Sequence, residues 1–187
     1  LKIERLGTKQ ADKEREFWTL DEYKKFSQAV REKPQFYYAF QVFFWCGLRL
    51  GELQALTKED VNLLGVTLKV TNSFTKKEQA KGKTKTPNSK RTVHMPKELA
   101  EELEEYINSL YGINATDRLF EISKSAFHKT MTEYSKKAGV KRITIHGLRH
   151  SHISLLMNYI SFASVMDIAK RAGHKSPEIT MIYSHRY

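Results

Sequence analysis

Twelve residues, FYYAFQVFFWCG (36–47), present apolar side chains around nearly the whole circumference that a helix would have. A helix of that kind is buried, so the chain is expected to build its core around it. Gly47 breaks the run, and LRLGELQAL restarts a helical pattern with Leu50, Leu53 and Leu56 inward. Arg49 therefore sits in or beside a turn between two core helices. With 187 residues there is room for one sizeable core or two very small ones.

Around this helix the pattern is mostly helical. Thr19-x-x-Glu22 is a capping box, followed by Leu20, Tyr23, Phe26 and Val30 at helical spacing, with Pro34 expected to end that helix. From Val66 the period changes to two: Val66, Leu68 and Val70 alternate with Thr67, Lys69 and Thr71. A second strand is expected at 91–95, with Val93 and Met95 on one face. The lysine-rich stretch between, TKKEQAKGKTKTPNSK, reads as a mobile hairpin region.

Further helices follow. One at 97–110 turns Leu99, Leu103, Tyr106, Ile107 and Leu110 to one face. One is capped by Ser123 or Ser125, carries Phe127, Met131 and Tyr134, and stops at Gly139. One spans 146–160, and one is capped by Ser164-x-x-Asp167 and ends at Gly173. Ser176-Pro177-Glu178 supplies an N-cap, a first-position proline and a first-turn acid for a short helix containing Tyr183. The expected fold is α+β and mostly α-helical, with a small antiparallel sheet of two to three strands.

Thirty-two Lys and Arg against 21 acids give a net charge of +11, more than solubility asks for. Charge speaks to partners rather than to fold, and nucleic acid ranks ahead of a membrane surface. No apolar run approaches the ~18 residues of a membrane span. The single Cys46 forms no internal disulfide and fits a reducing compartment. The start, LKIERLGTKQADKERE, lacks an apolar core and is not expected to be a secretion signal. It also lacks a Met, so the chain reads as a piece of a longer protein.

The candidates for chemistry gather in the last third. His146 and Arg149 lie three apart at a helix start, His174 follows a glycine stop, and Tyr183 comes nine residues later. Singly each has a bland reading: a satisfied structural histidine, a half-buried core tyrosine, an Arg49 that merely pairs with Glu52. His146 and His150 have the i, i+4 spacing that can share a zinc, but no partner acid, CxxC pair or acidic cluster accompanies them. Neither metal nor cofactor is expected.

Taken together, the motifs resemble those of the tyrosine recombinase family, which includes phage and conjugative-transposon integrases. GLRLGEL (47–53) resembles its first arginine box, and KTKTPNSKRTVHMP (83–96) its lysine-bearing β-hairpin. HGLRHSHISLLM (146–157) is similar to its H-x-x-R box, and AGHKSPEITMIYSH (172–185) to its G-H box followed by T-x-x-Y-x-H. The order and rough spacing agree over residues 17–187. The resemblance implies a catalytic set of Arg49, Lys85, His146, Arg149, His174 and Tyr183, with Glu52 supporting the first arginine. Lys83 competes with Lys85, the TKT context favouring the latter. His150, His152 and His185 are expected to be structural or to contact DNA.

The residue types suit that chemistry. Two guanidiniums can fork onto the non-bridging oxygens of a phosphorane-like state, and oriented donors of this kind lower a barrier by ~3–4 kcal/mol each. A tyrosine of ordinary pKa near ~10 needs a base or a cationic surrounding, and His146 is the candidate base. Lys85 would give a proton to the leaving 5′ oxygen. His174 would donate to the phosphate or help to place Tyr183. The implied activity is cleavage and rejoining of DNA through a 3′-phosphotyrosine, without metal or ATP, for integration or excision.

The resemblance also implies partners and surroundings. Expected are double-stranded DNA, a homo-tetramer on DNA with this piece alone monomeric, accessory directionality and bending proteins, no membrane, and a bacterial or phage-encoded protein in the cytoplasm. Residues 1–16 read as a linker or arm from an absent core-binding domain, and 17–187 as a catalytic domain truncated after its nucleophile. The stretch YISFASVMDIAKRAGH is about two residues longer than the pattern and lacks a turn glycine. The nearest rival is a type IB topoisomerase-like nicking and sealing enzyme, against which the box spacing argues. A non-catalytic basic DNA-binding module would not need Arg49, Arg149, His174 and Tyr183 together. An RNA-binding role lacks any RNP-type aromatic pattern.

Overall fold

The computed structural model describes residues 16–74, 81–83, 90–159 and 164–174. Helix α1 (Leu20–Val30) begins at the expected capping box, in which Thr19 Oγ1 accepts the Glu22 amide and Glu22 Oε2 accepts the Thr19 amide. It stops at Arg31, before Pro34. Pro34 instead opens α2 (Pro34–Cys46), against the sequence expectation. The physical reason is that a proline lacks the N–H that a first helical turn leaves unused, and its fixed φ suits that position.

Helix α2 is the centre of the molecule. Ala39, Phe40, Val42, Phe43 and Phe44 are all buried. It packs against α1, α3 (Leu50–Ala55), α4 (Lys97–Ser109) and α6 (Ile145–Tyr159). Phe40 meets Phe26 of α1 and Phe127 of α5 (Lys124–Lys137) edge-on at 5.0 and 5.5 Å. Each such ring contributes ~1.5–3 kcal/mol by leaving water, so α2 supplies much of the cohesion of the fold. Ser123, rather than Ser125, caps α5 by accepting the Ala126 amide.

The sheet is small and antiparallel, in the order β1 (Val61–Asn62), β2 (Thr67–Val70), β5 (Arg91–His94). Leu68 lies opposite Val93, and Val70 opposite Arg91, with Leu68, Val70 and Val93 buried as the alternation predicts. A second pair joins β3 (Asn72–Phe74), just before the stretch read as a hairpin region, to β4 (Lys81–Lys83) within it. It has no hydrophobic alternation because β3 leans on α3 through a small residue: a Cβ on Gly51 would lie 2.5 Å from Ser73 Oγ.

Helix α6 starts with Thr144 Oγ1 accepting the Gly147 amide, and α7 (Val165–Ala172) with Ser164 accepting the Asp167 amide. Gly173 ends α7 in the left-handed conformation, as expected. Among the described residues no helix is long and apolar enough to cross a membrane.

Candidate active site

Arg49, Glu52, His146, Arg149 and His174 fall within the described residues. Lys85 and Tyr183 lie outside them, as do the Ser176-Pro177-Glu178 signal and the turn of the longer 159–174 stretch.

Arg49 is the N-cap of α3, its backbone extended because the chain has just left the α2 terminus. Glu52, one turn on, accepts the Arg49 amide at 2.8 Å and Arg49 Nη1 at 2.9 Å. Arg49 thus pairs with Glu52, while 38% of its side chain stays exposed. The Glu52 side chain is only 2% exposed and meets a second arginine, Arg91 of β5. Arg91 Nη1 reaches Oε1 at 3.0 Å and Nη2 reaches Oε2 at 2.9 Å, a two-pronged clasp. Burial works against the Glu52 carboxylate, but Arg91 and then Arg49 outweigh it and hold its pKa below the ordinary value.

Arg149, on α6, is 2% exposed. Its Nη1 donates to the Gly47 carbonyl at 2.6 Å and its Nη2 to the Ala172 carbonyl. It thus joins the end of α2 to the end of α7. His146 lies in the first turn of α6 and is exposed, its ring edge-on to that of His150 with centroids 4.6 Å apart. His174 follows the glycine stop, its amide closing on the Ala169 carbonyl at 2.9 Å. Burial, then the charges of Arg149, Arg49, His146 and Arg91, push the His174 imidazole down to about 4. It is neutral at pH 7 and can donate one hydrogen bond while accepting another. Among the described residues no group of three or more His, Cys, Asp or Glu is set to hold a metal ion.

The end of α7 is the meeting point. Arg91 Nε takes the Arg171 carbonyl at 2.8 Å, Arg149 Nη2 that of Ala172, and Arg49 Nη2 that of Gly173 at 2.7 Å. These carbonyls have no partner within the helix and form the negative end of its dipole, so they draw cations. Sequence reasoning missed Arg91 and Arg171. A signal for Arg91 existed: period two puts it on the same face as Val93 and Met95, and an inward arginine needs an acid. Arg171 carried no such signal, because its acceptors are the Trp45 and His94 carbonyls and His152 Nε2, at 3.2, 2.6 and 3.2 Å.

Gly47 carries a further constraint. Its φ is +62°, its carbonyl holds Arg149, and a Cβ there would lie 2.3 Å from His152 Cδ2. Gly47→Ala is expected to cost about 2 kcal/mol or more in urea unfolding, from left-handed backbone strain and the clash together. Gly139→Ala, at φ +65° with open space, should lose only the backbone part, about 1 kcal/mol. Equal losses would discount the His152 contact.

Residues 16–187 match the phage integrase family. The chain is 30% identical to the ICEBs1 integrase of Bacillus subtilis (strain 168), over 94% of this chain and 52% of that protein. It is 29% identical to a tyrosine recombinase of Pseudothermotoga lettingae, over 91% and 56%. It thus spans about half the length of the curated relatives it matches. Among solved structures it resembles the XerA recombinase, with a TM-score of 0.72 at 25% identity, covering 97% of this chain and 62% of that one. It shares its fold with the Tn1549 transposon integrase, TM-score 0.77 at 18% identity, over 92% and 63%. The four boxes, the arginine-lined end of α7 and these likenesses agree: the chain belongs to the phage integrase family of tyrosine recombinases.

Proposed function

We propose that the protein to which this chain belongs cuts and rejoins double-stranded DNA at specific sites, as an integrase of a phage or mobile element, with Tyr183 as nucleophile. The observation that carries this is the pair of guanidiniums, Arg49 and Arg149, that meet at the end of α7 beside His174, whose imidazole is held neutral by burial first and by these charges next. Such a pair is complementary to a phosphate. Relatives named integrase and tyrosine recombinase support the reading, as does a Tn1549 integrase solved with circular intermediate DNA.

In the proposed reaction Tyr183 Oη attacks the phosphorus, and the bond from phosphorus to the 5′ oxygen breaks. His146 takes the phenol proton, and Lys85 gives one to the leaving 5′ oxygen. Arg49 and Arg149 meet the non-bridging oxygens, and His174 donates to one of them or helps to place Tyr183. The phosphotyrosine ester keeps the bond energy, so the 5′-hydroxyl of another strand reverses the step without ATP or metal. A tetramer on two DNA sites, assisted by directionality and bending proteins in a bacterial cytoplasm, is the assembly we propose.

The test is to incubate this chain at low salt, where phosphate binding is strongest, with a pool of nicked suicide duplexes of randomised sequence. Wild type should leave labelled DNA bound to protein on a denaturing gel, with phosphotyrosine at position 183 by mass spectrometry. Tyr183→Phe should leave none. No adduct from wild type, or an adduct from Tyr183→Phe, defeats the assignment.

A further inference from the structure

Of the three arginines on the end of α7, Arg49 and Arg149 belong to the proposed phosphate site and Arg91 does not. The family motifs name no role for Arg91, whose side chain is 7% exposed. Its guanidinium nevertheless gathers the parts of the site. Both terminal nitrogens clasp Glu52 of α3, and Nε holds the Arg171 carbonyl of α7. Gly173 lies so near that a Cβ there would be 3.0 Å from Arg91 Nη1. Arg91 also opens β5, where it lies opposite Val70 of β2.

Charge gives a second reason. An Arg49–Glu52 pair alone is neutral, and a carboxylate 2.9 Å away would cancel much of the pull of Arg49 on a phosphate oxygen. With Arg91 on both oxygens of Glu52, the buried group keeps one net positive charge. We propose that Arg91 is a positioning residue for DNA cleavage: it holds Arg49 and His174 in place through Glu52 and the end of α7, and it offsets Glu52 so that Arg49 keeps its charge for the phosphate. This rests on the strand-cleavage reading above.

Three proteins decide it: wild type, Arg91→Met and Arg91→Lys, assayed as the whole chain at a temperature where circular dichroism shows each folded. Arg91→Met should form the covalent adduct on the duplex pool about 10–100-fold more slowly, because misplacement by a fraction of an ångström suffices for that. Its DNA dissociation constant should change by less than about threefold, since phosphate contacts elsewhere carry affinity. Arg91→Lys, which keeps the charge without the fork, should recover part of the lost rate. Equal rates for wild type and Arg91→Met overturn the proposal, as does DNA affinity falling in step with rate, or no recovery with lysine.

A readout independent of activity separates this from the cleavage reading. In Arg91→Met the NMR amide signals of Gly173 and His174 and the Arg49 Nε–H signal should shift, while those of α5 stay. Unmoved signals at Gly173, His174 and Arg49 sink the positioning role. If wild type yields no adduct, the cleavage reading fails instead, and the NMR shifts still decide whether Arg91 positions these groups.

Discussion

Glu52→Ala is expected to cost about 3–5 kcal/mol of folding stability, the range seen when one partner of a buried ion pair is removed. The Glu52 carboxylate is 2% exposed, accepts the Arg49 amide, and receives three further hydrogen bonds from the guanidiniums of Arg49 and Arg91. Without it, two like charges face each other, and the Arg91 side chain has only 7% of its surface in water. Urea unfolding of Glu52→Ala, Arg91→Met and the double variant measures this. The double variant should be more stable than the sum of the singles implies, by about 1–3 kcal/mol, because it no longer buries an uncompensated charge. Strict additivity would show that the pair is not a unit. The pKa of Glu52 is lowered on folding, so its contribution is in place above about pH 4.5 and is lost as pH falls through the folded value.

The helical frame was legible in the sequence because its signals are local. The all-round apolar run of α2, the Thr19 and Ser164 caps and the Gly47, Gly139 and Gly173 stops each act within a turn or two. Pro34 was misread for a related reason: a proline between two helices can close one or open the next, and α1 had already ended at Arg31. The β3–β4 pair was not legible, since its stability comes from β3 lying on α3 rather than from alternation. At the site the sequence named Arg49, Glu52, His146, Arg149 and His174, which the fold does bring around one helix end. Beyond the Arg49–Glu52 pair, it was silent on the backbone carbonyls that the arginines hold. Arg149 binds the carbonyls of Gly47 and Ala172, and a backbone acceptor can be any residue, so no side-chain pattern announces it.

The second large effect should appear on acidification, before most carboxylates titrate. His152 is 1% exposed, and burial, then the charge of Arg171, push its pKa down to about 3 against an opposing pull from the Phe44 backbone. Its geometry requires the neutral ring: Nε2 accepts from Arg171 Nε at 3.2 Å, which an imidazolium does not do. The unfolded chain binds a proton on this residue below its ordinary value of about 6.5, while the folded chain does not. Stability on this account is full above about pH 6.5 and falls by ~1.4 kcal/mol per pH unit below it, until the folded value is reached. By about pH 4.5 His152 alone removes about 3 kcal/mol. His174, lowered to about 4, acts in the same direction, with a smaller share because it is part-exposed. Urea titrations of wild type and His152→Phe at neutral pH and at about pH 4.5 isolate the term. The phenyl ring keeps the packing against Gly47 and has no proton to bind, so the difference in stability between the two pH values should shrink by about 3 kcal/mol in the variant. An unchanged difference would mean that His152 is protonated in the fold, and that Arg171 is held at the ends of α2 and β5 by the Trp45 and His94 carbonyls alone.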